Sequence, residues 1–351
     1  MVQFMGTRHL AAMVESVGLD EITRRLVATL DADFRRWPVF DKQARVASHS
    51  GDGVIELMPT SDGAEYGFKY VNGHPKNPFK GLQTVTAFGV LADVATGYPV
   101  FVSEMTIATA IRTAATSVLA AQYLARKDAA VMALIGLGAQ SEFQAQAFAT
   151  VLGIRKLRIF DIDPLAVAKF LANMQGAGFD IHVASDTREA VAGADIITTV
   201  TADKRNATIL TDDMVRAGVH INAVGGDCPG KTELEKALVG RCSIFVEYAP
   251  QTRIEGEIQQ MAPDHPVTEL WEVMRGGKPG RCSDADITLF DSVGFAIEDF
   301  SVLRLMRDMA GETGHFAYID LIADPADPKN LFGEIASRKP DDVLVAFKAA
   351  V

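Results

Sequence analysis

Apolar positions recur at helical spacing near the start of the chain: Leu10, Met13, Val14 and Val17, then Ile22, Leu26, Leu30 and Phe34. The spacing predicts a helix from Thr7 to about Trp37, divided in two by Gly18. From Ala44 to about Val102 the period shortens to that of strands. Arg45–Ser48, Val54–Met58, Tyr66–Val71 and Thr84–Leu91 are the candidates, and a hairpin turn at Asp93–Gly97 leads to a further strand at Tyr98–Ser103. Ile107–Leu124, rich in Ala and Thr, predicts a well-buried helix. From Ala130 to about Val293, short apolar runs alternate with helical stretches, the pattern of a doubly wound α/β sheet. Its later strands are expected at Ala194–Thr201, Val219–Asp227, Ser243–Glu247 and Ile287–Gly294, and a long helix at Phe295–Met309. The fold class is therefore α/β: a Rossmann-type nucleotide-binding domain over residues 126–314, preceded by a sheet-rich α+β domain over 1–125 that the tail 315–351 is expected to complete.

The turn at the start of the second domain carries the sharpest local chemistry. The apolar run Val131–Ile135 ends in Gly136-Leu137-Gly138-Ala139-Gln140-Ser141, and a helical segment, Glu142–Leu152, follows at once. Glycines there let the backbone turn tightly and approach a pyrophosphate, and the new helix aims its free N–H groups at that phosphate. Ser141 replaces the third glycine of the usual pattern. The next predicted strand, Leu157–Phe160, ends in Asp161, an acid placed to accept hydrogen bonds from ribose hydroxyls and to repel a 2′-phosphate. Ile162 and Asp163 follow, with no basic residue to receive such a phosphate, which favours NAD over NADP. The bland reading of Asp161 is a helix cap before Pro164.

In open α/β sheets, ligands gather outside the C-terminal strand ends. Thr201, Gly225, Gly226, Asp227, Ser292 and Val293 are expected at that crevice. Asp227 precedes Cys228-Pro229-Gly230-Lys231, and serves either as a base toward a substrate ammonium or as a turn aspartate before Pro229. Lys231 meets either a phosphate or ribose, or solvent; Cys228 is read as packing. In the first domain Arg45 opens a strand, Lys69 lies within an apolar one and Arg112 lies in the buried helix. A cation among apolar neighbours needs an anion. The bland partner is a structural carboxylate such as Glu56, Glu104 or Asp93; the functional partner is a substrate carboxylate.

Composition narrows the class. The chain has 351 residues, 48% hydrophobic and 23% charged, as expected of a globular protein of two ordinary domains. Its net charge of −11 argues against nucleic acid or an anionic membrane as partner. No long uncharged apolar run predicts a membrane span, and Met1–Leu10 lacks the basic-then-apolar pattern of a secretory leader. Cys228, Cys242 and Cys282 are too few and too scattered for a disulfide framework or a zinc site, and His49, His74 and His220 have no metal-ligand spacing. A reducing cytoplasm is the expected compartment, and no metal is expected.

The sequence resembles the ornithine cyclodeaminase/mu-crystallin family over nearly its whole length. The resemblance is carried by Arg45-Val46-Ala47-Ser48-His49-Ser50, Val54–Pro59, Phe68–Pro75, Ile111–Thr116 and Ala223–Leu234. Within the family, the stretch Gly225-Gly226-Asp227-Cys228-Pro229-Gly230-Lys231-Thr232-Glu233-Leu234 looks like the bacterial ornithine cyclodeaminase branch. The resemblance implies conversion of L-ornithine to L-proline and ammonia by transient hydride transfer to a retained NAD, and a homodimer made through the sheet domain. It implies that Arg45, Lys69 and Arg112 grip the substrate carboxylate, that Glu56 and Asp227 handle its amines with Asp227 as acid/base, and that Val293 contacts substrate. It further implies cofactor contacts from Thr84, Arg112, Gly136, Gly138, Ala139, Gln140, Asp161, Thr201, Val224, Gly225, Gly226, Asp227, Lys231 and Ser292. Other members imply alternatives: a lysine cyclodeaminase, an amino-acid dehydrogenase, a cyclic ketimine reductase, or a non-catalytic small-molecule binding protein on the same fold.

Overall fold

The structure, a computed structural model, describes residues 1–201 and 207–336. Among the described residues, fifteen strands fall into two sheets. The first sheet holds β1 (Val2–Met5), β2 (Val46–His49), β3 (Val54–Ser61), β4 (Glu65–Gly73), β5 (Ala87–Asp93), β6 (Pro99–Glu104) and the late strand β15 (Ala317–Ile319). The second holds β7 (Val131–Ile135), β8 (Lys156–Phe160), β9 (Asp180–Val183), β10 (Ile196–Thr199), β11 (His220–Ala223), β12 (Ser243–Val246), β13 (Thr268–Glu269) and β14 (Thr288–Asp291).

Strand alternation explains what the first sheet presents to each side. In β3, Val54, Glu56 and Met58 are buried while Ile55 and Leu57 are exposed; in β4, Gly67, Lys69 and Val71 are buried while Tyr66 is exposed. Lys69 pairs in register with Met58 on one side and Gly89 on the other, so the period of two puts Glu56 and Lys69 on the inward face. Helix Ala296–Thr313 lies against that face. It comes close because glycines stand opposite it. A Cβ at Gly67 would sit 3.0 Å from Phe300, and one at Gly89 would sit 3.0 Å from Leu303. This approach is what carries Glu298 and Asp299 to Lys69.

The second sheet is wholly parallel, with order β9-β8-β7-β10-β11-β14-β12-β13. The order reverses between β7 and β10, so the crevice beyond their C-terminal ends is the switch point of a doubly wound fold. Its central strands are buried on both faces, and the polar residues they carry, Thr198, His220, Asn222 and Thr288, are hydrogen-bonded to one another across the sheet. An aromatic cluster ties the two sheets together: Trp37 lies 5.3 Å from Phe34, 5.4 Å from Phe295 and 6.4 Å from Trp271, ring centroid to centroid. Phe295 follows Val293 and Gly294, so the cluster anchors the segment leaving β14.

The helices at Thr7–Val17 and Leu19–Arg35 divide at Gly18 as the spacing predicts, and the buried helix runs from Thr106 to Leu124. Four short strands, β1, β9, β13 and β15, carry no pattern long enough to stand out. Several expected strands also end early. Thr84 precedes β5, because His74 and Asn72 both bond to its carbonyl and draw it into a loop. Ser292 still donates its N–H to the Ala223 carbonyl of β11 at 2.9 Å, but its hydroxyl and the N–H groups of Val293 and Gly294 turn to a buried carboxylate, Glu247, and there the strand ends. The tail expected to complete the first domain pairs β15 with β1; residues 337–351 lie outside the described residues. Among the described residues, no helix is long and apolar enough to cross a membrane.

Candidate active site

The glycine turn after β7 has the shape that a dinucleotide requires. Gly136 has φ +94°, and a Cβ there would lie 3.0 Å from the backbone of Val200 and Thr201, so only glycine lets β7 end against β10. Gly138 and Ala139 are exposed, and a Cβ on Gly138 would meet nothing within 4 Å. Helix Ser141–Leu152 begins here with its free N–H groups. Ser141 is buried and donates to the Gly138 carbonyl at 2.8 Å, which holds the turn where the usual dinucleotide-binding pattern has a glycine. Asp161 accepts the Leu137 N–H at 2.6 Å and the Asp163 N–H at 2.8 Å. The cap of the next helix is Asp163, which accepts from Leu165 N; the capping alternative for Asp161 is thereby set aside. Gln140 Oε1 is buried without a hydrogen-bond partner among the described residues. Open backbone, helix N-terminus, braced acid and spare acceptor together fit an adenine dinucleotide.

The three cations of the first sheet and its helix all point inward, and each meets acids. Arg45 Nη1 donates to Glu56 at 3.1 Å, while its Nη2 donates to the carbonyls of Val293 at 2.6 Å and Gly294 at 2.9 Å. Its Nε lies 3.1 Å from Glu255 Oε2. Lys69 Nζ donates to Asp299 at 2.9 Å. Arg112 donates through Nε to the same carboxylate at 3.0 Å and through Nη1 to Glu298 at 2.7 Å. Of the suggested structural partners only Glu56 is used. Glu104 instead accepts the Ile107 N–H at the head of its helix, and Asp93 closes its hairpin through Thr96. Glu255, Glu298 and Asp299 escape the sequence pattern, because their partners lie far away along the chain; the one signal is the pair Glu298-Asp299 within the apolar stretch Val293–Leu303.

Burial governs the electrostatics. Desolvation pulls the Lys69 ammonium down to about 8, with the nearby Arg112 adding to the fall and Asp299 opposing it. Desolvation pushes Glu298 up to about 8 and Glu255 up to about 7, against the pull of Arg112 and Arg45 respectively. Glu247 is also raised by burial; it accepts from the Ser292 hydroxyl at 2.6 Å and the Gly294 N–H at 3.2 Å. Val293 is buried beside them. The positive φ of Gly294, +75°, lets the backbone pass beneath Arg112: a Cβ there would lie 2.8 Å from Nη1.

The loop after β11 forms the third wall. Val224 is half-buried, Gly225 and Gly226 are buried, and Asp227 is exposed at the rim, where its charge acts on Arg45 and Glu255. Lys231 does not reach solvent: it is 2% exposed, donates to the Thr201 carbonyl at 2.9 Å and lies 3.4 Å from Glu233. Glu233 accepts the Thr201 hydroxyl. The loop is pinned from below by Glu257, which accepts the N–H groups of Glu233 and Leu234 at 2.7 and 3.1 Å, and by Gln259, which accepts the Gly230 N–H at 2.7 Å. His220 is buried, bonded to Thr288 and Asn222, and is structural. Thr84 sits on the sheet-domain loop, away from the glycine turn in sequence and bound through its carbonyl.

A doubly wound dinucleotide fold facing a buried, acid-rich cluster from a second sheet defines an NAD-dependent class of amino-acid enzymes. A profile of the ornithine cyclodeaminase/mu-crystallin family matches residues 7–314, and the chain belongs to that family. It is 63% identical over 333 residues, 95% of this chain and 93% of the relative, to an ornithine cyclodeaminase of Brucella suis biovar 1 (strain 1330). Its fold is similar to that of a lysine cyclodeaminase solved for recognition of L-lysine, L-ornithine and L-2,4-diaminobutyric acid, with a TM-score of 0.87 at 30% identity, covering 94% of this chain and 98% of that one. It is also similar to an archaeal alanine dehydrogenase dimer with bound NAD, with a TM-score of 0.84 at 30% identity, covering 92% and 99%.

Proposed function

We propose that this chain is an ornithine cyclodeaminase, converting L-ornithine to L-proline and ammonia with NAD held at the glycine turn. The observation that carries the reading is the 63% identity to a curated ornithine cyclodeaminase over 333 residues, 95% of this chain. NAD, when bound, supplies a hydride acceptor that is restored within each turnover.

The chain's own residues bind, orient and move protons. Arg45, Lys69 and Arg112 grip the substrate carboxylate; Glu298 and Asp299 hold the latter two in place beforehand, so little ordering is left for binding. Glu56 and Asp227 face the amines. The δ-amine must lose a proton before it attacks Cα, and Asp227, at the rim, takes it. Holding the substrate curled makes ring closure intramolecular, which supplies much of the rate. Val293 packs against the substrate carbon chain. Thr84, Gly136, Gly138, Ala139, Gln140, Asp161, Thr201, Val224, Gly225, Gly226 and Ser292 line the cofactor, with Arg112 and Asp227 near its reactive end; Lys231 supports it through Thr201. Residues 1–125, completed by 315–351, form the substrate and dimerisation domain, and 126–314 the NAD-binding domain, whose last helix, Ala296–Thr313, packs on the first sheet.

We propose further that two copies associate through the outer face of the first sheet, where Ile55, Leu57, Tyr66 and Phe88 are 41%, 43%, 41% and 45% exposed. The test of function is product analysis with L-ornithine and L-lysine in parallel while nicotinamide absorbance is followed. Proline must form from ornithine with no net NADH; a stoichiometric rise in NADH makes the chain a dehydrogenase instead. Asp227→Asn should abolish turnover and still bind NAD.

A further inference from the structure

We infer that Glu255 is a specificity-determining residue that receives the side-chain ammonium of a diamino-acid substrate; this rests on the function proposed above. Glu255 ends the short helix Ala249–Glu255 and is 6% exposed. Its Oε2 stands 3.1 Å from Arg45 Nε, yet neither atom makes a hydrogen bond among the described residues. The two are close but misaligned, and a buried carboxylate oxygen is left able to accept.

The charges around it do not balance. Arg45 is the cation that pairs with both Glu56 and Glu255, and Asp227 acts on the same guanidinium from the rim. Three carboxylates thus face one guanidinium. The neighbouring cations give no relief, because Lys69 and Arg112 already carry Asp299 and Glu298. Arg45 itself has committed Nη1 to Glu56 and Nη2 to two backbone carbonyls. Burying more carboxylate than cation is unfavourable unless a further cation arrives. Glu255 responds as such a group must: burial and the repulsion of Glu56, Asp227 and Glu247 raise it to about 7. A cationic side chain entering beside Arg45 would restore the balance and supply the missing donor. A neutral side chain would leave both deficits in place. The residue therefore distinguishes diamino acids from simple ones by charge, although it stands beside Arg45.

The test compares L-ornithine with L-norvaline, the same carbon chain lacking the side-chain amine, in Glu255→Gln. For ornithine, kcat/KM is expected to fall by about tenfold or more, the range of a lost charge-assisted hydrogen bond, while the Ki of norvaline as competitive inhibitor stays where it was. Glu255→Asp, which keeps the charge, should recover part of the ornithine preference and serves as the readout should the glutamine variant not fold. Equal weakening of both ligands would mean that Glu255 only braces Arg45, and no change in their ratio would mean that it sees neither; either result overturns the assignment. Wild-type protein run alongside separates the two levels: no proline from ornithine there defeats the proposed reaction, whereas normal wild-type turnover with an unaltered preference in both variants defeats only the role of Glu255.

Discussion

Asp299 Oδ1 accepts a hydrogen bond from Lys69 Nζ at 2.9 Å, linking a strand of the first sheet to a helix 230 positions later in the chain. The same oxygen accepts from Arg112 Nε at 3.0 Å. One carboxylate therefore fixes two cations that come from different elements, and both are buried.

Removing that carboxylate leaves the two cations with too little counter-charge. Breaking a buried pair from one side costs about 3–5 kcal/mol. Asp299→Ala is expected to lose stability in that range in guanidinium titrations, and to bind carboxylate ligands weakly even where it folds. A loss below about 1 kcal/mol, the value of an exposed pair, would show that water replaces Asp299 at little cost.

Glu257 gives the fold a defined response to pH. It is fully buried and caps the N–H groups of Glu233 and Leu234, and desolvation raises it from 4.5 to about 7. A carboxyl raised on folding contributes stability that is complete below its unfolded value, near 4.5, and is lost as pH climbs through 7. Glu255 and Glu298, raised to about 7 and about 8, act in the same direction. His220 acts oppositely at lower pH: burial lowers it to about 3, so its contribution grows as pH rises from 3 to 6.5. Stability of the cofactor-free protein should therefore pass a maximum in mildly acidic solution and decline toward pH 8. Glu257→Gln should flatten the decline by at most about 3 kcal/mol. A profile rising steadily from pH 5 to 8 would contradict this.

Asp161 is braced by the Leu137 and Asp163 N–H groups before any ligand arrives. Asp161→Ala should weaken NAD binding by about tenfold or more, from the loss of charge-assisted hydrogen bonds to ribose hydroxyls. Adding Ile162→Arg, at a position 91% exposed, to Asp161→Ser should shift preference toward NADP. Titration of both cofactors by NAD(P)H fluorescence measures it. Unchanged affinity for NADH in Asp161→Ala would place the ribose elsewhere.

Residues whose signal is local were legible in the sequence, and those defined by distant partners were not. The glycine turn, Asp161 and the helix break at Gly18 each rest on a few consecutive residues whose backbone chemistry has few solutions. The inward cations Arg45, Lys69 and Arg112 were also visible, since a charge inside an apolar period is conspicuous. Their partners were hidden: Asp299 meets Lys69 only because Gly67 and Gly89 admit a helix to the sheet, a tertiary fact without a sequence period. The partners of Lys231 were hidden for the same reason: of its two alternatives, ligand or solvent, burial removes solvent, because Glu233 and Thr201 close over it once the loop has folded. Short edge strands such as β15 escaped because three residues carry no period.

The outer face of the first sheet gives the final prediction. Strand alternation that sends Glu56 and Lys69 inward must send Ile55, Leu57, Tyr66 and Phe88 outward. Tyr70 and Phe88 stack at 5.1 Å on that face, extending the apolar strip across neighbouring strands. Exposed apolar strips of this kind mark association surfaces. Leu57→Glu would place a carboxylate in the middle of the proposed contact, and a second copy would meet the same charge from the opposite side, since a two-fold interface repeats every residue. Sedimentation should show the wild type as a dimer and Leu57→Glu as a monomer that retains its secondary structure. Substitution at Ile162, exposed on the second domain, should leave the dimer intact. If Leu57→Glu sediments like the wild type, the copies meet through another surface and the strip has a different occupant.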